Sequence, residues 1–299
     1  MSKYYIYSFL VLSVTAILSL VAYFSFSPKP ETLRNPVYDN NVYLRYGFLL
    51  KSQSNHVIEN AKFSMFAPHQ RNEKQKLIAH TSNQPSELVM DENGNYSFEL
   101  SDLLIPPFGS KTLTITMEVA SATHQVEMEA NDLDFYLENT LYLNMDHPSL
   151  IQLAQQFGGQ DQNQIAKNIY VWLINNVQVL NYVAQAKGAK YAVEQRKGDC
   201  TEMMHAFMAL ARLNNIPTRA VGGFVVEGKS TVVHANDYHN WAEYYDGKRW
   251  VIVDAQKQIF DKTGSLTYVS FRYLDQKNQH QRYTQRFITF DENIGVSML

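Results

Sequence analysis

The sequence predicts an α+β protein: an N-terminal membrane helix, a β-sandwich-like region, and then a region mixing helices with an antiparallel sheet. Three observations predict it. Ile6 to Phe26 carries no charge, and about 20 such residues span a bilayer as a helix. Runs of period two recur between Tyr38 and about Ala130 with no amphipathic helix between them, as in an all-β domain. After about Asn131 the apolar residues fall at helical spacing, and a hairpin signal follows them.

Composition sets the bounds. The chain has 299 residues, enough for more than one domain. A hydrophobic fraction of 45% and a charged fraction of 18% describe a folded protein. The net charge of −3 and the lack of a Lys/Arg cluster give no basis for nucleic-acid binding. A single cysteine excludes an internal disulfide framework and any multi-cysteine zinc site.

At the N-terminus, Tyr4, Tyr5 and Tyr7 flank the apolar run on one side and Tyr23, Phe24 and Phe26 on the other, like the aromatic belts of a spanning helix. A signal peptide has a shorter apolar core and a small-x-small cleavage site. Here the nearest such site, Ser25-Phe26-Ser27, is followed at once by Pro28. The expectation is an uncleaved anchor over residues 1–27, inserted in the inner membrane as a single pass with the remainder extracytoplasmic. Pro28, Pro30 and Pro36 make the start of the next region a stiff tether.

Residues 28–135 read as the β-sandwich-like domain. Val42–Leu50, Lys62–Phe66, Tyr96–Leu100 and Thr112–Val119 are its clearest strands, and Asp91-Glu92-Asn93-Gly94-Asn95 is a turn. Residues 136–299 form the next domain. Ser149–Phe157 is a short amphipathic helix, and Asp161 to about Val179 a second, with Ile165, Ile169, Trp172 and Leu173 on one face. Asp199–Leu213 is a third. Asp199 is a suitable N-cap and Glu202 stands three residues on, which is the capping-box arrangement. Cys200 therefore falls in the first helical turn, where the unpaired N–H groups and the dipole favour a thiolate. Asn214-Asn215 and Pro217 end the helix.

The hairpin supplies partners for that cysteine. With Asp246-Gly247 as a two-residue loop, Tyr245 pairs with Lys248 and His239 sits directly opposite Asp254. Cross-strand neighbours lie about 4.5–5.5 Å apart at Cβ, within reach of an imidazole–carboxylate hydrogen bond. A base oriented by a carboxylate, with a cysteine at a helix start, is the set that thiol catalysis requires. A metal site built from Cys200, His205, His234 and His239 lacks ligand spacing, and no cofactor is expected.

These residues resemble the transglutaminase-like superfamily, a papain-like group of cysteine enzymes. Four blocks carry the resemblance in order: Gly198-Asp199-Cys200, Ala211-Arg212-Leu213-Asn214-Asn215-Ile216-Pro217-Thr218-Arg219, His239-Asn240-Trp241-Ala242-Glu243 and Trp250-Val251-Ile252-Val253-Asp254. It implies a papain-like core, with the Cys-bearing helix packed on an antiparallel sheet and Cys200, His239 and Asp254 as triad. It also implies a peptide or protein substrate, attacked by a hydrolase or, alternatively, by an acyl transferase that makes cross-links. A non-catalytic interaction module on the same fold is a third reading. Two features depart from the pattern. Ala255-Gln256 replaces the usual Pro-Thr after the aspartate, and the family's second oxyanion donor has no clear counterpart, Tyr182 and Tyr191 being candidates.

Overall fold

A computed structural model describes residues 36–122, 127, 132–158, 161–181, 185–274 and 286–299. The expected N-terminal span and tether lie outside the described residues. Among the described residues, no helix is long and apolar enough to cross a membrane.

The first half is made of strands: β1 (Tyr38–Ser52), β2 (Ile58–Ala67), β3 (Gln75–Ser82), β4 (Glu87–Met90), β5 (Tyr96–Ile105) and β6 (Ser110–Ala122). Helices then dominate, with α1 (Pro148–Ala154), α2 (Gln162–Asn176), β7 (Gln178–Val179), α3 (Gly188–Gln195), β8 (Lys197–Gly198) and α4 (Cys200–Arg212). The chain closes with β9 (Thr218–Glu227), β10 (Ser230–Val232), β11 (Tyr238–Tyr245), β12 (Trp250–Asp254), β13 (Ile259–Phe260), β14 (Leu266–Tyr273), β15 (Phe287–Thr289) and β16 (Ile294–Met298). It is a mixed α+β fold.

Two sheets organise the first half. One has the order β10-β1-β6-β3 with β16 also on β1, and the other runs β15-β2-β5-β4. Alternation explains their joint core. Val42, Leu44, Tyr46, Phe48 and Leu50 point one way from β1 and are all buried, as are Leu113, Ile115, Met117 and Val119 from β6. Phe63 and Met65 of β2 and Phe98 and Leu100 of β5 join the same apolar cluster. The last two strands return to pair with β1 and β2, the first two among the described residues.

A third sheet, β13-β12-β11-β9-β14, carries α4 on one face. Ala220, Ala242, Tyr244, Val251 and Val253 meet Met203, Ala206, Phe207 and Leu210 of α4 in a second core. The opposite face buries Val221, Trp241, Ile252 and Tyr268. Gly222-Gly223, which interrupt the apolar run of β9, answer to close packing. A Cβ on Gly223 would lie 2.0 Å from the Val269 carbonyl oxygen, and one on Gly222 would lie 2.3 Å from the Tyr238 hydroxyl. Helix α3 has no sequence signature. It opens on Gly188 at φ +77° without a capping side chain and ends on Arg196 in the left-handed region at φ 53°.

A polar seam joins this sheet to the start of β3 and the loop before it. Gln75 accepts from the Ser270 amide at 2.7 Å and donates to the Ser270 carbonyl at 3.0 Å. His69 bonds Ser270 Oγ at 2.9 Å and Asn95 Oδ1 at 3.2 Å, and stacks on Tyr273. Arg219 binds Glu243 directly across the β9–β11 ladder, reaches Glu73 of the loop, and lies between the rings of Trp250 and Tyr273 at 4.4 and 4.7 Å.

Candidate active site

Cys200 is the first residue of α4, and the capping box expected before it is formed. The Asp199 carboxylate accepts from the Thr201 amide at 2.8 Å, while Glu202 accepts from the amides of Asp199 and Lys187 at 3.2 and 2.9 Å. Burial pushes the Glu202 carboxyl up to about 7, with the Asp199 charge adding to that rise and the Lys187 amide opposing it. Gly198 is required for space: a Cβ there would lie 2.5 Å from Cβ of Glu202. Thr201 Oγ1 is 3.9 Å from the Cys200 sulfur and accepts from Asn240 at 2.9 Å.

His239 stands on β11 and Asp254 ends β12. The imidazole Nε2 donates to Asp254 Oδ2 at 2.6 Å, and both side chains are buried. The ladder delivering this contact is not the expected one. Tyr245 pairs with Trp250 and Ala242 with Val253, so the loop holds four residues, Asp246–Arg249. The Asp246 carboxylate is the reason, because Oδ1 accepts from the amides of both Lys248 and Arg249 at 2.9 Å and fixes the wider turn. The register moves by two, and His239 meets Asp254 diagonally rather than head-on. Because the shift is even, the two side chains keep one face.

Burial by itself would lower the His239 pKa. The bond to Asp254, with the neighbouring Cys200 side chain, outweighs it and lifts the ring to about 9. Asp254 moves oppositely: burial raises its carboxyl, but the bond and charge of His239, the Lys257 amide and the Tyr268 hydroxyl hold it below the usual carboxylate range. Tyr268 was not legible as a site residue; Tyr268-Val269-Ser270-Phe271 reads only as a strand. Its hydroxyl donates to Asp254 Oδ2 at 2.8 Å.

Cys200 and His239 line one cleft of about 1280 Å³, with Asn181, Asp199, Asn240 and Gln256 at its walls. Residues Arg286, Phe287 and Met298 border it too, so the C-terminal strands that complete the first two sheets also reach the cleft. Tyr191 lies in a different depression, under the Lys187 ammonium, and is not brought to the cleft; Tyr182 is outside the described residues. His205 is wholly buried, stacked on Tyr142, with burial lowering its pKa to about 3. Among the described residues no His/Cys/Asp/Glu group is arranged to hold a metal ion.

This combination, a cysteine-headed helix on an antiparallel sheet that bears a His–Asp contact, resembles the transglutaminase-like core. Residues 151–255 match the model of the transglutaminase-like superfamily. A proposed cysteine protease from Cytophaga hutchinsonii has a similar crystal structure, at 18% identity and a TM-score of 0.58, covering 86% of this chain and 92% of its own. The periplasmic domain of TgpA from Pseudomonas aeruginosa aligns at 14% identity over 71% of this chain and 88% of its own, with a TM-score of 0.39. Only the first of these reaches the level of a shared fold. No curated protein matches the chain by sequence.

Proposed function

We propose that the protein is a membrane-anchored, extracytoplasmic cysteine hydrolase acting on peptide or amide bonds of a peptide or protein substrate. In this reading residues 1–27 anchor the chain, 28–135 form a β-sandwich-like domain, and 136–299 form the catalytic domain. The observation that carries it is the sharing of one cleft by Cys200, at a helix N-terminus, and by His239, whose far nitrogen is bonded to Asp254.

The steps follow from that arrangement. The Cys200 proton is held on the remaining ring nitrogen of His239, and the sulfur, as thiolate, attacks the substrate carbonyl carbon. The oxyanion accepts from the Cys200 amide, which as a first-turn donor has no partner within the helix. The imidazolium then gives its proton to the amine as the C–N bond breaks, leaving a thioester. Water, deprotonated by His239, attacks the thioester and releases a carboxylic acid and the thiol. Asp254 holds the ring orientation throughout. The acyl-transferase reading differs only at the last step, where an amine replaces water, and products formed with and without added amine distinguish the two.

Cys200 is the only thiol, so alkylation by iodoacetamide reports on it alone. Replacing His239 by Ala is expected to slow alkylation at pH 7 about a hundredfold, within the range of general-base contributions. Equal rates in the two proteins would refute the reading.

A further inference from the structure

We propose that Tyr268 is a positioning residue for this site, fixing Asp254 and sharing its charge so that His239 is held in one orientation. The inference rests on the reading of Cys200, His239 and Asp254 given above, and adds a residue beyond the span that matches the superfamily model, which stops at 255.

The Asp254 carboxylate is held at both oxygens. Oδ1 accepts from the Lys257 amide at 3.0 Å, while Oδ2 accepts from His239 Nε2 at 2.6 Å and from the Tyr268 hydroxyl at 2.8 Å. A carboxylate with a single partner rotates about its terminal bond at little cost. One bound at both ends keeps the same oxygen facing the imidazole. Two donors on one oxygen also divide its charge, so Tyr268 moderates the pull of Asp254 on the His239 proton. The phenol is suited to this as a permanent donor, because burial, reinforced by the Asp254 charge, moves its own ionisation far above the ordinary tyrosine range.

The tyrosine is itself held firmly. Its ring meets Trp241 edge-on at 5.1 Å, and Trp241 lies parallel to the His239 ring at 6.5 Å. The same indole thus sets the planes of both donors to Oδ2. Two residues along β14, Ser270 is pinned to Gln75 through its amide, hydroxyl and carbonyl. The first residue of β3 thereby fixes the strand that delivers the hydroxyl. The groups that act on the His239–Asp254 pair are Cys200 from α4, Tyr170 from α2 and Tyr268 from β14, with Lys257 contributing its amide.

The test is the protonation of His239, followed by NMR on the full chain, its ring signal being identified by loss in His239→Asn. Tyr268→Phe removes one oxygen and keeps the ring. Its His239 midpoint is expected to rise by about half to one pH unit, as for loss of one hydrogen bond to a neighbouring charge. An unmoved or lowered midpoint, whatever happens to the melting temperature, overturns the proposal, since a purely structural tyrosine changes stability and leaves the midpoint in place. Iodoacetamide alkylation of wild type and His239→Asn is run alongside. If the rates there are equal, the hydrolase reading fails, while the midpoint comparison still decides the role of Tyr268.

Discussion

Replacing Gly198 by Ala probes the start of the cysteine helix without touching any proposed reacting group. Gly198 has no need of an unusual backbone conformation; what it supplies is room. The added Cβ would lie 2.5 Å from Cβ of Glu202 and 3.2 Å from its Cγ. An atom so near the backbone of a buried helix cannot swing aside, so the first turn of α4 has to move. Overpacking of this kind costs about 1–3 kcal/mol. Displacing the Glu202 carboxylate also weakens its bonds from the Asp199 and Lys187 amides, at about 1 kcal/mol each. The sum is about 3–5 kcal/mol, and a chain of this size loses about 2–4 °C per kcal/mol. Thermal unfolding of the variant should therefore fall by about 6–20 °C, and Cys200 alkylation should lose its wild-type rate. A variant melting within about 1 °C of wild type would show that the packing of Gly198 against Glu202 does not hold the helix start.

Two further outcomes follow from the buried charges. Arg219→Met leaves Glu73 and Glu243 inside the seam with Lys74 as their remaining cation; breaking such a pair from one side costs about 3–5 kcal/mol, read as a lower urea midpoint, and a loss below about 1 kcal/mol would contradict it. Acidification from pH 6.5 to 4.5 acts through three groups. His69 and His205 have folded pKa values lowered by burial to about 4 and about 3. The unfolded chain takes up those protons first, so each costs about 2 kcal/mol over these two pH units. Glu202 works the other way: its carboxyl, raised to about 7, contributes stability that is present at low pH and lost as pH rises through 7, and it returns about 2 kcal/mol on acidification. A net loss of about 2 kcal/mol should appear in urea titrations at the two pH values. A midpoint that holds steady or rises would refute the balance.

What the sequence made legible was local. The capping box Asp199–Glu202 follows from spacing alone, and so does the start of the helix that bears Cys200. Arg219 and Glu243, met first as parts of a motif, turn out to be direct partners across the β9–β11 ladder. The His239–Asp254 contact was reached through a wrong register, because an aspartate that binds two following amides makes a wider loop than Asp-Gly alone suggests. The contact survived because a slip of two residues leaves every side chain on its own face. What stayed hidden was long-range. Ser270 and Gln75 are 195 residues apart, and no local pattern marks either of them or the hydroxyl of Tyr268.

The route of the chain sets an order of events. β1 is the first strand described, yet one of its edges is completed by β10 and β16, while β2 waits for β15. A chain delivered from its N-terminus thus presents two unfinished sheets until residues 287–298 arrive, and pairings across such separations form slowly. During that interval the open margins of β1 and β2 are templates for foreign strands. Clipping those last strands would accordingly reopen the oldest part of the fold, and with it the cleft wall that Phe287 and Met298 provide.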